Sequence, residues 1–562
     1  MFKLFRYLKP YWWQVLILVA ATGLQVYTTL RLPALMADII NNGIKTESIE
    51  AIWMVGGRMI LCAVISALGA LVSSYYSSVV GANFSRDLRK TIFKQVLSYS
   101  MSDMKTFSTA SLITRTTNDV TQVRQTLTMI LQMMLRAPLF AIISFIMAIK
   151  TAPDMSWIIA VGLIAIICTV VLIMSLVIPK FRIFQKLVDR TTLLTRENLT
   201  GMRVIRAFNN QKVEKKKFMK TNEELTKLLI YIDRILELQN PFINIIFNGT
   251  TLLCSWIGIS LLTKDIAYLG NMIAFAQYVG HVMMAFLMLS ILFVMIPRAN
   301  VSAERIAEVL KLNSKIHWKK ETNGVPDKVP SVEFKNVDFM YPDAEEKVLS
   351  GVSFVANAGE TTAFVGSTGS GKSTLINLVP RFYEATAGEI TVNGISVKDY
   401  QQEDLMGRIG FVPQRGILFS GTVKSNIKFG APHATDAEVK HAAEVAQADG
   451  FISRLPEKYN AHISQGGTNV SGGQKQRLSI ARAICKKPET KGAVVLIVAQ
   501  RVSTIKDADQ IVVLDGGKVV GKGKHFELLN TCPIYEDIVK SQLSDSEFKN
   551  EMRLAKSRKA EA

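Results

Sequence analysis

Gly366, Gly371, Lys372 and Ser373 stand at a spacing that does chemistry. They satisfy G-x-x-x-x-G-K-[ST], in which small residues let successive backbone N–H groups converge on phosphate oxygens. Between them, Ser367, Thr368, Gly369 and Ser370 keep the loop small, and Gly369 adds a hinge. Lys372 supplies a point charge for the outer phosphates of a nucleotide, and Ser373 offers a hydroxyl to Mg²⁺. Thr374 continues into a helix whose positive end points at the same anion. Ala363 to Val365 reads as the apolar strand before the loop, so strand, loop and helix follow in the order the motif requires.

The elements that position this loop are part of a 562-residue chain, 49% apolar, with a formal net charge of +20. That composition argues against disorder, and a mean hydropathy of +0.23 is rare in a soluble enzyme. Cys62, Cys168, Cys254, Cys485 and Cys532 have no metal-ligand or C-x-x-C spacing, so neither a zinc site nor a disulfide framework is signalled. No DNA- or RNA-binding motif accompanies the basic excess. Basic loops beside a lipid bilayer explain it without a nucleic-acid partner.

Lys3, Arg6 and Lys9, then Tyr11, Trp12 and Trp13, precede an apolar run over residues 15–35. This is an interfacial belt followed by a spanning helix, too long for a signal peptide. Further runs at 52–80, 127–149, 157–178, 241–262 and 272–296 bring the expectation to six spans, each near the ~20 residues a bilayer needs. Residues 86–124 and 180–234 are rich in Lys and Arg, whereas the connections near 41–50, 151–154 and 263–267 are short and nearly balanced. The two basic loops, and both termini, are therefore expected in the cytoplasm.

Both inner loops keep helical periodicity, as in Leu199, Met202, Val204, Ile205 and Phe208. Polar bends are expected around residues 103–111 and 197–201, where short transverse helices would lie. The expected divisions are a membrane domain over 1–312, a linker over 313–330, a soluble α/β domain over 331–543 and a charged tail over 544–562. The stretch 332–339 alternates like a half-buried antiparallel strand, and the tail, short of apolar residues, reads as a frayed helix.

A second motif, Val470-Ser-Gly-Gly-Gln-Lys-Gln-Arg477, closely resembles the signature of ATP-binding-cassette transporters. With six preceding spans, the whole chain resembles an exporter half-transporter of the multidrug and lipid type. The resemblance implies a six-span α-helical membrane domain followed by an α/β P-loop nucleotide-binding domain, with ATP and Mg²⁺ as ligands. It implies that Tyr341 stacks on adenine, that Gln414 senses Mg²⁺ with Ser373, and that Ser471, Gly472, Gly473 and Gln474 bind the γ-phosphate of a partner's ATP. Ordinary strand packing is the other reading of Tyr341. A second half-transporter, a plasma-membrane location and a hydrophobic or amphipathic substrate follow from the same likeness, and the bends become helices that dock on the cassettes.

The chain also departs from that pattern. Between the signature helix and Val494-Val-Leu-Ile-Val-Ala-Gln500, the family places a strand ending in a Mg²⁺-binding aspartate and a catalytic glutamate. Residues 488–494 are too few for a strand, a crossover helix and a next parallel strand, which need about 30 or more. Ile511-Val-Val-Leu-Asp515 follows the switch strand and runs into Gly516-Gly517, so it reads as a later strand. At the switch position Gln500 replaces the usual histidine; it can donate a hydrogen bond but cannot carry the proton or charge of an imidazolium. The expectation is a degenerate-site half of a heterodimer that hydrolyses ATP only at its partner's site. A non-catalytic nucleotide-binding subunit and an inactive, internally deleted copy are the alternatives.

Cysteine accessibility tests the orientation. In a chain freed of its native cysteines, a membrane-impermeant thiol reagent should label Thr46→Cys in intact cells, and Lys216→Cys only after permeabilisation. The opposite pattern would invert the topology.

Overall fold

Six helices of the computed structural model are long and apolar enough to cross a membrane: Phe5–Ile44, Ile49–Leu97, Thr109–Thr151, Pro153–Thr200, Gln211–Ile259 and Leu269–Leu289. The structure describes residues 2–44, 46–262, 268–312, 314, 316–324, 329–342, 344–486, 492–499 and 501–561. Gln500, residues 487–491 and the connection at 263–267 lie outside the described residues. The chain forms two compact units, one of Met1–Leu97 and Thr109–Lys311, the other of Ser98–Ser108 and Leu312–Ala562.

In the first unit, large apolar side chains such as Trp53, Leu61, Leu71 and Ile164 point outward. Helices that are apolar all round are those whose solvent is lipid. Its interior packs Val26, Leu30, Ile158, Phe275 and Tyr278, and the Tyr278 hydroxyl donates to the Leu30 carbonyl at 3.1 Å. The first two spans are tied by hydroxyl pairs, Thr22 with Ser73 at 2.8 Å and Thr29 with Ser66 at 2.7 Å. Where lipid removes the hydrophobic drive between helices, such contacts and close packing hold them together.

The first polar bend holds the helix Met101–Thr106, capped by Ser100, whose hydroxyl accepts from the Asp103 N–H while the Asp103 carboxylate accepts from the Ser100 N–H at 3.0 Å. The second bend comes later than expected. Gly201 still donates to the Glu197 carbonyl at 2.7 Å, so the helix is intact through Thr200. The chain turns at Gly201 and again at 208–210, where Asn209 takes φ +53°, and the short helix Met202–Ala207 lies between. Asparagine is among the few residues that tolerate the left-handed backbone at 209, while residues 197–200 stay helical.

Among the described residues the second unit has ten strands: β1 (Ser331–Phe339), β2 (Leu349–Asn357), β3 (Thr361–Gly366), β4 (Ala387–Val392), β5 (Ile395–Ser396), β6 (Gly421–Thr422), β7 (His462–Ile463), β8 (Val495–Val498), β9 (Gln510–Asp515) and β10 (Lys518–Gly523). An antiparallel sheet runs β2-β1-β4-β5, and its strand β1 has the alternation expected of a half-buried strand. The sheet that carries the phosphate loop runs β10-β9-β3-β8, with β3 parallel to both β8 and β9. Asp515 faces Lys518 across the turn into β10, which places Ile511 to Asp515 in the late strand.

Strand β3 is buried from Thr362 to Val365, as is β9 from Ile511 to Leu514. Strand β8 is different. It pairs with β3 from Thr361↔Val495 to Phe364↔Val498, and among the described residues no strand lies on its other side. Val495 is 42% and Val498 37% exposed, although parallel strands are normally covered on both faces.

The C-terminal tail is not frayed. Asp545–Glu561 is a helix whose Phe548, Met552 and Ala555, at i, i+4 and i+7, pack with Leu528 and Leu529. The Asn530 amide donates to the Ala555 carbonyl at 3.0 Å. Its charges occupy the other faces, so the three apolar residues are the signal that a composition reading passes over. The stretch before β1 is likewise fastened: Ile316 is buried, Arg381 donates to the His317 carbonyl at 3.2 Å and lies over the Trp318 ring, and Asn323 donates to the Asp399 carbonyl at 2.9 Å.

The open edge of β8 sets the behaviour of the isolated cassette, because unpaired parallel edges template aggregation. A chain cut to residues 331–562 should aggregate on light scattering, and Val495→Lys should slow this without lowering solubility, since the side chain already faces solvent. Equal aggregation rates would assign the instability elsewhere.

Candidate nucleotide-binding site

Strand β3 delivers the phosphate loop. At Gly366 a Cβ would sit 2.0 Å from the Leu514 carbonyl of β9, and at Gly371, with φ +94°, 2.6 Å from the Leu349 side chain. Side chains at either place would force the loop off the sheet. Around Gly369 nothing lies within 4 Å of a Cβ position, so the loop opens toward solvent there. Ser367, Thr368 and Gly369 are exposed and Ser370 is buried. The loop ends in helix α1 (Lys372–Leu378), with Gly371 as its N-cap.

The Lys372 ammonium bends over its own loop, donating to the Gly366 carbonyl at 3.0 Å, the Ser367 carbonyl at 2.7 Å and the Ser370 hydroxyl at 3.3 Å. Burial pushes its pKa below the ordinary lysine value. A phosphate in the cradle would meet this cation already placed. Ser373 is exposed, and among the described residues no hydrogen bond engages its hydroxyl, which leaves it free to ligate Mg²⁺. Thr374 is buried and joins the Tyr341 hydroxyl at 3.0 Å. That bond ties Tyr341 to α1, and its ring meets Phe339 and Tyr383 edge-on. An open loop of N–H groups, a preplaced cation and a free hydroxyl fit a magnesium nucleotide.

The signature residues lie on a separate element. Ser471 caps helix α2 (Gly472–Cys485); its N–H donates to the Gln474 side chain at 2.8 Å, and its hydroxyl accepts from the Gln474 N–H. Ser471, Gly472 and Gly473 are exposed, and nothing lies within 4 Å of a Cβ at either glycine. Gln414 is exposed in the loop 410–420, and among the described residues no hydrogen bond joins it to the cradle.

Sequence reasoning passed over Arg482, which fastens that loop to α2. It donates to the Ile417 carbonyl at 3.0 Å and to the Asn426 carbonyl at 2.9 Å, and stacks over Phe419 and Phe429. Its position ten residues along the signature helix was the available clue. Asp515 was also set aside, yet its carboxylate accepts from the Ser367 hydroxyl at 3.3 Å. Only the pairing of β3 with β9 brings the two together.

Family models agree with this division. Residues 15–286 match the ABC transporter transmembrane region, and residues 349–490 match the ABC transporter cassette. An uncharacterized ABC transporter ATP-binding protein of Mycobacterium tuberculosis is 34% identical over 96% of this chain and 97% of its own length. In that alignment about 540 residues of this chain span 570 positions, so about 30 positions face gaps. The ATP-dependent lipid A-core flippase of Saccharophagus degradans is 27% identical over 89% of each chain. A bacterial Atm1-family ABC exporter solved with ATP bound shares the fold, with a TM-score of 0.77 and 21% identity over 96% of this chain and 99% of that one. Membrane region, phosphate loop and signature, in this order in one chain, make this protein a member of the ABC transporter family, an exporter half-transporter with fused transmembrane and ATP-binding domains.

Proposed function

We propose that this chain is the degenerate-site half of a heterodimeric exporter that moves a hydrophobic or amphipathic substrate, drug-like or lipid, across the plasma membrane, with both termini in the cytoplasm. The observation that carries this reading is the contrast between a complete cradle and an uncovered β8. A covering strand is the place where the family keeps its two acids. Hydrolysis needs a group that orients or deprotonates the attacking water. Gln500 at the switch position has no proton to exchange.

In this reading the N–H groups from Gly366 to Thr374 and the Lys372 ammonium hold the phosphates, and Tyr341 adjoins the base. Ser373 and Gln414 would hold Mg²⁺, which when bound neutralises charge between the outer phosphates. Ser471, Gly472 and Gly473 are exposed and, with the half-buried Gln474 that caps Ser471, would complete a site built on the partner. The partner is also supported by Leu199, Val204 and Phe208, which are 70%, 59% and 79% exposed beside the helix Met202–Ala207. Apolar side chains off the membrane spans call for a cover. Met101–Thr106 belongs to the compact unit of the cassette, as a coupling helix would. The lipid A-core flippase among the relatives favours an amphipathic cargo.

A second reading, an inactive and internally deleted copy, draws on the same open edge and on the gap positions in the alignment. Two measurements separate them. The full chain should be labelled by a photoreactive ATP analogue, with weak dependence on Mg²⁺, and Lys372→Ala should lose the label; labelling that survives the substitution would refute binding at the cradle.

Purified alone, the chain should hydrolyse no ATP above background. Mixed with a competent half-transporter it should support turnover that Ser471→Arg abolishes. Turnover by the solitary chain that stops with Lys372→Ala would overturn the asymmetric reading, and no turnover with any partner would favour the deleted copy.

A further inference from the structure

Arg136 carries a charge inside the membrane unit, and among the described residues no acidic side chain pairs with it. It lies fifteen residues before the Thr151 end of the third span, about 22 Å along the axis, within a hydrocarbon layer of about 30 Å. No Asp or Glu occurs from residue 120 to 153, nor from 268 to 303. Its buried Nε has no hydrogen-bond partner, and its contact is with an aromatic face, the guanidinium lying 5.3 Å from the centre of the Phe140 ring. Phe140 is four residues nearer the Thr151 end, so the cation is folded along the span.

The helix is deformed at this point. A π-helical turn, Ile130–Met134, immediately precedes the segment, and Pro138 within Leu135–Thr151 removes the N–H that would bond the Met134 carbonyl. Such turns recur at functional sites. Across the interface, the ring of His281 sits 5.5 Å from that of Phe140. His281 is thirteen residues past Tyr268, about 20 Å from the end of its own helix on the same side of the membrane, so both residues share one depth.

We infer that Arg136, backed by Phe140 and His281, binds the anionic headgroup of an amphipathic ligand inside the membrane domain, a phosphate or carboxylate borne on an apolar tail. A guanidinium in hydrocarbon costs several kcal/mol unless it is paired. Its fork accepts a two-oxygen anion, and Phe140 leaves one side apolar for a chain. The inference rests on the exporter reading and narrows its substrate to an anion.

Equilibrium binding to the purified full chain in neutral detergent tests it, with dioctanoyl phosphatidic acid, dioctanoyl phosphatidylcholine and inorganic phosphate as probes and native mass spectrometry as the readout. Phosphatidic acid should bind the native chain at least about tenfold more tightly than Arg136→Gln, and Arg136→Lys, which keeps the charge but not the planar fork, should recover only part of the loss. Phosphatidylcholine should bind all three alike, and excess inorganic phosphate should not displace phosphatidic acid. Equal binding of phosphatidic acid to the native chain and Arg136→Gln would overturn the inference; displacement by inorganic phosphate would overturn the amphiphile in favour of a free anion. Photoreactive ATP labelling of Arg136→Gln reports on the cassette separately. Its retention alongside unchanged lipid binding would refute this site and leave the exporter reading standing.

Discussion

The parallel pairing of β3 is the constraint on which the nucleotide site depends. Backbone bonds to β9 fix where β3 ends, and the Leu514 carbonyl crowds Gly366 so closely that only a residue without a side chain can begin the loop. From there Gly371 turns into α1, whose Leu375 and Leu378 join the same core cluster as Leu496 of β8. The loop is thus set on the β9 side of β3, while among the described residues β8 pairs with β3 alone.

A second set of contacts holds the rest of the cassette. The half-buried Arg482 sits among the carbonyls of Ile417 and Asn426 and the rings of Phe419 and Phe429, and so fastens the loop that contains Gln414 to α2. Lys486 adds bonds to the Met406 and Ile409 carbonyls. Burial lowers the pKa of both side chains, yet each charge is spread over carbonyl oxygens, and hydrogen bonds of this kind offset much of the desolvation. Helix α2 and the loop at 410–420 are thus joined by side-chain bonds.

The membrane unit obeys a different accounting of polar groups. Hydroxyls on its spans mostly return to the carbonyl one turn back, as at Thr28, Thr169 and Thr250, or pair across helices. Arg136 is an exception, and its placement beside a π-helical turn makes it a feature of the helix's design. A solvent without hydrogen bonds makes each such exception conspicuous.

Much of this was legible in the sequence, because the signals are local. Six apolar runs announce the spans since a bilayer imposes length, and the phosphate loop and signature are contiguous residues whose types already state their chemistry. The late strand was placed correctly from Gly516-Gly517, where the turn residues follow the acid. What the sequence could not decide is pairing between distant segments. That Asp515 reaches Ser367, that Tyr341 bonds Thr374, that Arg482 bridges two loops and that Phe548, Met552 and Ala555 dock the tail all depend on which surfaces meet in space. The open edge of β8 belongs to the same class. A short connection raises the expectation of a lost strand, but only the order β10-β9-β3-β8 places β8 at the edge among the described residues, since the pairing of β3 with β8 is set by backbone bonds between residues more than a hundred positions apart.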